Sequence, residues 1–202
     1  LKLSRGLGDV YKRQPLDLAV IPAVVGETSC VLKSIAQRGE GRVGFHQHGY
    51  AHVNHQRHGR KCEFGTDRSP RQQFCDISRG REALRNSLGS LVDPLFTPPW
   101  NRCNVATAAA IVWLGFEGLS CYQSGTPNHS TGLKDLPIHV DWAKRRDGRP
   151  LSGDGFEAYL AGCLDTEVCG VMLHHELIDK YALERLGRFI DAARQAGVEP
   201  VS

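Results

Sequence analysis

Short apolar, β-branched runs alternate with longer helical patterns along this 202-residue chain, and that alternation constrains its fold more than any other feature. Leu16 to Val25 (LDLAVIPAVV), closed by Gly26, predicts a buried strand of a mainly parallel sheet. Glu27 to Arg38 predicts the helix that follows, and Arg42 to His46 (RVGFH) the next strand. A helix over Arg71 to Leu88 leads to a strand over Val92 to Thr97, stopped at Pro98 and Pro99, which have no N–H to give a ladder. Asn104 is placed to cap the helix VATAAAIVWLG, which ends at Gly115. Strands over Phe116 to Cys121, Leu136 to Val140 and Val168 to His174, with helices over Phe156 to Leu164 and Asp179 to Ala196, complete the pattern. There is no internal repeat and no break in composition, so residues 15 to 202 read as one α/β domain with crossover helices around a parallel sheet.

Composition bounds the function. With 41% hydrophobic and 23% charged residues the chain can build one substantial core, and no run approaches the roughly 20 apolar residues of a membrane span. Seven scattered cysteines, none in a CxxC pair, argue against a disulfide framework and a cysteine zinc site and for reduced thiols in a cytoplasm. The opening LKLSRGLGDVYKRQ sets Lys2, Arg5, Lys12 and Arg13 against Asp9 alone and thereby carries the whole net charge of +3. The remaining body is neutral and gives no electrostatic case for nucleic acid. Residues 1–14 have the look of a translated adapter or a basic disordered tail, and are expected to add nothing to the fold.

In parallel α/β folds reactive groups gather at the carboxyl ends of strands. Four such ends carry polar motifs here. FHQHGYAHVNHQRH holds five of the nine histidines: His46, His48, His52, His55 and His58. His48 and His52 stand i, i+4, so one helical turn after the strand would put both imidazoles on one side, as a zinc pair requires; exposed helical histidines share that spacing. His46 and His55 read as supporting residues, His58 as solvated, and Glu63 with Arg68 as an ion pair bracing the loop. In PLFTPPWNRCN, Pro98 and Pro99 stiffen a loop presenting Trp100, suited to a sugar face or to the core, and Arg102, suited to a carboxylate or a substrate. Asp141, two residues from His139 on one strand face, could orient Arg102 or a histidine, or cap the next segment, and Trp142 offers a second stacking surface. His174 and His175, after an apolar run, are general-acid candidates that point opposite ways if the strand continues.

HGYAHVNH, FTPPWNR, HVDW and VMLHHELID, in this order from Leu16 onward, resemble the motifs of the polysaccharide deacetylase family, the chitooligosaccharide deacetylase-like carbohydrate esterases. The resemblance implies a distorted (β/α)7 barrel and hydrolysis of N- or O-acetyl groups on a carbohydrate, dependent on a divalent metal, zinc by expectation. Motif by motif, it implies His48 and His52 as metal ligands, Arg102 on the substrate-side loop, and His174 or His175 as the acid with preference for His174; beside it, the reading of the residues themselves counts Arg102 and Asp141 with the catalytic machinery and sets Pro99, Trp100 and Trp142 on the substrate side. The family's first motif, an aspartate pair giving a third ligand and the base, has no match: neither Asp9 nor Asp17 fits. The expectation is an N-terminally truncated fragment without its first strand, impaired in turnover, or else a silent carbohydrate-binding or structural barrel.

Overall fold

The computed structural model describes residues 16–122, 132–146, 149–163, 169–174 and 177–198. Two compact units are distinguished, Asp17–His139 and a second formed by Val140–Ser202 with Leu1–Leu16. The expected α/β class holds: the larger unit is built on a five-stranded sheet in the order β1 (Leu16–Val20), β2 (Val43–His48), β3 (Val92–Thr97), β4 (Gly118–Leu119) and β5 (Lys134–Asp135). From β2 to β5 every pairing is parallel. Three helices cross between strands: α1 (Val25–Arg38), α2 (Pro70–Leu88) and α3 (Val105–Trp113).

The first strand is shorter than the apolar run predicts. Pro22 cannot donate to a ladder, so the chain turns through a 3-10 segment at Pro22–Val24 and enters α1 at Val25. At α2 the Ser69 side chain accepts from Gln72 N–H while the Gln72 side chain accepts from Ser69 N–H, a reciprocal cap with Pro70 in the first turn. Asn104 caps α3 as expected, its side chain accepting from Thr107 N–H at 3.1 Å.

In β2 the side chains alternate strictly: Val43, Phe45 and Gln47 are buried, while Gly44, His46 and His48 are half-buried on the opposite face. The first set meets the helices. Val43 and Phe45 pack with Leu32, Leu84 and Leu88, and a neighbouring cluster joins Phe64, Ile77, Phe96, Ile111, Phe116 and Leu119. Phe96 stands edge-on to Phe64 and Phe116 at 5.6 and 5.7 Å, so three aromatic side chains, each adding roughly 2 to 3 kcal/mol on full burial, anchor the unit.

Pro94 lies inside β3, where it cannot donate, and the ladder breaks there. Phe45 pairs with Val92, but Gln47 pairs with Phe96 and His48 with Thr97. An unbroken register would set Leu95 opposite His48. The break instead brings Thr97 there.

The second unit, from Val140 on, contains the last two residues of β6 (Ile138–Asp141), then β7 (Arg145–Arg146), β8 (Arg149–Pro150), α4 (Gly153–Cys163), β9 (Gly170–Met172) and α5 (Lys180–Gln195). β6 pairs with β9, and β7 is antiparallel to β8. Its core gathers Val140, Trp142, Phe156 and Leu186, with the Arg185 guanidinium 3.8 Å over the Phe156 ring. Asp179 caps α5 by accepting from Ala182 N–H at 2.8 Å.

Candidate functional site

β2 runs two residues beyond its predicted end at His46, so His48 is its last residue, and no helical turn follows. Gly49 takes φ +57° and His52 φ +57°, so an irregular loop replaces the expected i, i+4 helix face. The loop nonetheless brings the His48 and His52 rings to 5.2 Å between centroids. Trp100 packs on His52 at 4.6 Å between ring centroids. The histidine motif and the PPWNR motif thus meet within one unit.

The loop keeps this shape because of Glu63. Its carboxylate is fully buried and accepts from Ala51 N–H at 2.8 Å and Tyr50 N–H at 3.3 Å. A side chain at Gly49 would collide with this carboxylate and with the Pro99 ring. The expected Glu63–Arg68 pair is therefore corrected: Arg68 binds Asp76 at 2.7 Å instead, and Glu63 serves backbone amides. The sequence signal for this role is an acid between Cys62 and Phe64, both buried. Residues 61–64 also run beside residues 102–104. Phe64 bridges Cys103, Asn104 N–H donates to Phe64 O at 3.1 Å, and Arg102 Nη1 donates to Lys61 O at 3.2 Å.

Three of the four non-glycine residues with positive φ among the described residues, His52, Trp100 and Asn101, lie in these two loops. Left-handed backbone of this kind costs about 1 to 3 kcal/mol per residue and persists where surrounding contacts over-determine it. Pro99 is buried and braces Gly49, so it shapes the loop rather than offering a contact to a substrate. Trp100 is half-buried.

Along the sheet face shared with His48, His46 bonds Asp17 through Nδ1 and Thr97 Oγ1 through Nε2, each at 2.8 Å. Asp17 escaped the motif reading, although an acid within the apolar run LDLAV marks an unusual strand position. Burial and the neighbouring Asp17 push the Asp93 carboxyl up, with His46 opposing. His48 Nδ1 lies 3.0 Å from Thr97 O. His55 and His58 are exposed, and His55 contributes a backbone bond to Cys62 O. Among the described residues no three His, Cys, Asp or Glu side chains form a group able to hold a metal ion.

In the second unit Asp141 Oδ1 lies 3.5 Å from His174 Nε2, longer than a good hydrogen bond, and also accepts from Ala143 N–H at 3.0 Å. Of the partners open to Asp141 in the sequence, a histidine is thus one it has. Hydrogen bonding to Asp141 raises the His174 pKa from its usual value of 6.5, burial opposes the rise, and the Asp141 charge adds to it. Trp142 is corrected from its expected stacking role. It is only 3% exposed, enclosed by Phe156 and Phe189, with Nε1 donating to Ala182 O at 3.3 Å, and so has no face for a sugar. His175 and Asp9 lie outside the described residues.

No protein-family model and no curated protein matches the sequence. Solved structures do. A family 4 carbohydrate esterase from Streptomyces lividans, in complex with acetate, aligns at TM-score 0.64 and 14% identity over 100% of this chain and 86% of that one. A protein of Mycobacterium smegmatis assigned as a polysaccharide deacetylase aligns at 0.63 and 17% identity, over 98% and 78% of the two chains. A CE4 esterase of Streptococcus mutans aligns at 0.53 and 16%, over 96% and 87%.

Two predictions follow from these local geometries. Glu63→Ala orphans two amides and should cost roughly 2 to 4 kcal/mol in urea unfolding, whereas a loss below about 1 kcal/mol would deny the carboxylate its bracing role. Asp141→Asn removes the causes that raise the His174 pKa and leaves the burial that lowers it, so an NMR titration should show the value fall. Because the raised value belongs to the folded state, the pair's stabilisation is present below pH 6.5 and is lost as pH rises through the folded pKa; Asp141→Asn should flatten that dependence. An unmoved His174 titration would remove Asp141 as its partner. The chain has the polysaccharide deacetylase fold of the family 4 carbohydrate esterases, as its four motifs led one to expect.

Proposed function

We propose that this chain is a hydrolase of the carbohydrate deacetylase class that removes acetyl groups from a sugar with the help of a divalent metal. The observation that carries the reading is the His48–His52 pair at the end of β2, under Trp100, in a fold shared with carbohydrate esterases. Two imidazoles side by side are a donor set that suits zinc, and Nδ1 of His48 bonded to a carbonyl leaves the lone pair on Nε2, the form that ligates. His48 and His52 would hold the ion, which when bound polarises an acyl oxygen and lowers the pKa of water to about 7.

The chain's own residues divide the remaining work. Trp100 supplies an apolar face for a sugar ring, and Arg102, beside it on the same loop, binds polar substrate groups. His174, held more basic by Asp141, is the proton donor to the leaving amine or alcohol. Asp141 acts as its positioning partner.

A second reading, a non-catalytic carbohydrate-binding barrel, is favoured by the lack of a third ligand among the described residues. Zinc content and acetate release separate the two. The full chain should bind zinc weakly and lose it on replacing both His48 and His52 with alanine. It should release acetate from N-acetylated chitooligosaccharides or O-acetylated xylan, and His174→Ala should cut turnover by about 10² to 10⁴ while metal content holds. Zinc retained by the double variant would sink the ligand assignment. Sugar binding without any acetate release, with zinc bound, would establish the second reading.

A further inference from the structure

Asp17, His46 and Thr97 form a continuous hydrogen-bonded chain across β1, β2 and β3 that the proposed chemistry does not use. The proton positions in it are dictated by what each group can do. A carboxylate only accepts, so His46 Nδ1 donates to Asp17, and in the neutral ring Nε2 accepts from the Thr97 hydroxyl. With both nitrogens engaged, His46 is excluded as a ligand in this arrangement.

Thr97 then connects to His48. Its backbone carbonyl accepts from His48 Nδ1 at 3.0 Å and from Gly49 N–H at 3.1 Å, one bond for each lone pair. A carbonyl only accepts, so neutral His48 carries its proton on Nδ1. Thr97 is the joint of the chain: its hydroxyl is held from β1 through His46, while its carbonyl holds the His48 ring. The register break at Pro94 makes this possible, because it is what sets Thr97 opposite His48.

We infer that Asp17 and His46 are positioning residues that act through Thr97 to hold His48 in the tautomer with its lone pair on Nε2. The functional meaning rests on His48 being a metal ligand, as proposed above; the tautomer does not. His46 is 12% exposed and Asp17 32%, so the bond between them is shielded from solvent mainly on the histidine side.

The test uses the full chain labelled with ¹⁵N-histidine, free of metal, at a pH well above 6.5, where long-range proton–nitrogen spectra distinguish the two tautomers. His48 should be protonated at Nδ1 in the wild type and in Thr97→Ser, and mixed in Asp17→Ala and Thr97→Val. Zinc titration of the same proteins should give affinity weakened about tenfold in Asp17→Ala and Thr97→Val and kept in Thr97→Ser. Asp17→Ala removes a side chain at the solvent edge, so it stays readable if Thr97→Val fails to fold. Unchanged His48 tautomers in the folded variants would overturn the relay even if His48→Ala abolishes zinc binding. Zinc binding indifferent to His48→Ala would overturn the ligand assignment, and the tautomer spectra would still decide the relay.

Discussion

The buried carboxylate of Glu63 holds two consecutive amides of the loop that carries His52, and the site geometry depends on that contact. Beyond the last strand residue the backbone donors lose the ladder that would pair them, and burying them unpaired would cost free energy comparable to the loss of a hydrogen bond. With Tyr50 and Ala51 satisfied by one side chain, the loop can leave β2 in a left-handed turn at Gly49 and still seat His52 beside His48 and under Trp100. The same carboxylate excludes any side chain from position 49, so the glycine of the HGYAH motif and the distant Glu63 are two halves of one device.

The two site loops are held to each other as well as to the sheet. Bonds between residues 61–64 and 102–104 place Arg102 and the Trp100 turn against the segment that carries Glu63. Rigid elements alone do not build this arrangement. Left-handed backbone at His52, Trp100 and Asn101 is offset by bonds made elsewhere in the loops.

The fold was legible in the sequence because it follows from periodicity. Short apolar runs marked β2 and β3, the latter stopped at Pro98 and Pro99, and Asn104 marked a helix start, since each uses a local rule. Glu63 and Asp17 were not legible as site residues, because their partners lie 12 or more positions away and only the folded chain brings them together. An acid between apolar neighbours was the one trace each left. The helical turn assumed for HGYAH failed for the same reason: spacing suggested it, while a distant carboxylate offered the amides a better partner. Trp142 shows the opposite error, since an aromatic residue beside a reactive one is more often core than contact.

The sheet supplies one further constraint, the proline break in β3 that aligns Thr97 with His48 and ties the ligand candidate to the backbone. The ion that we propose would sit between the His48 and His52 rings. Diffraction from crystals grown with zinc, recorded on both sides of the zinc absorption edge, tests this most directly. The expected result is an anomalous peak about 2.0 to 2.1 Å from Nε2 of His48 and from a ring nitrogen of His52. Zinc bound elsewhere on the chain, with the two imidazoles left without it at saturating metal, would contradict it.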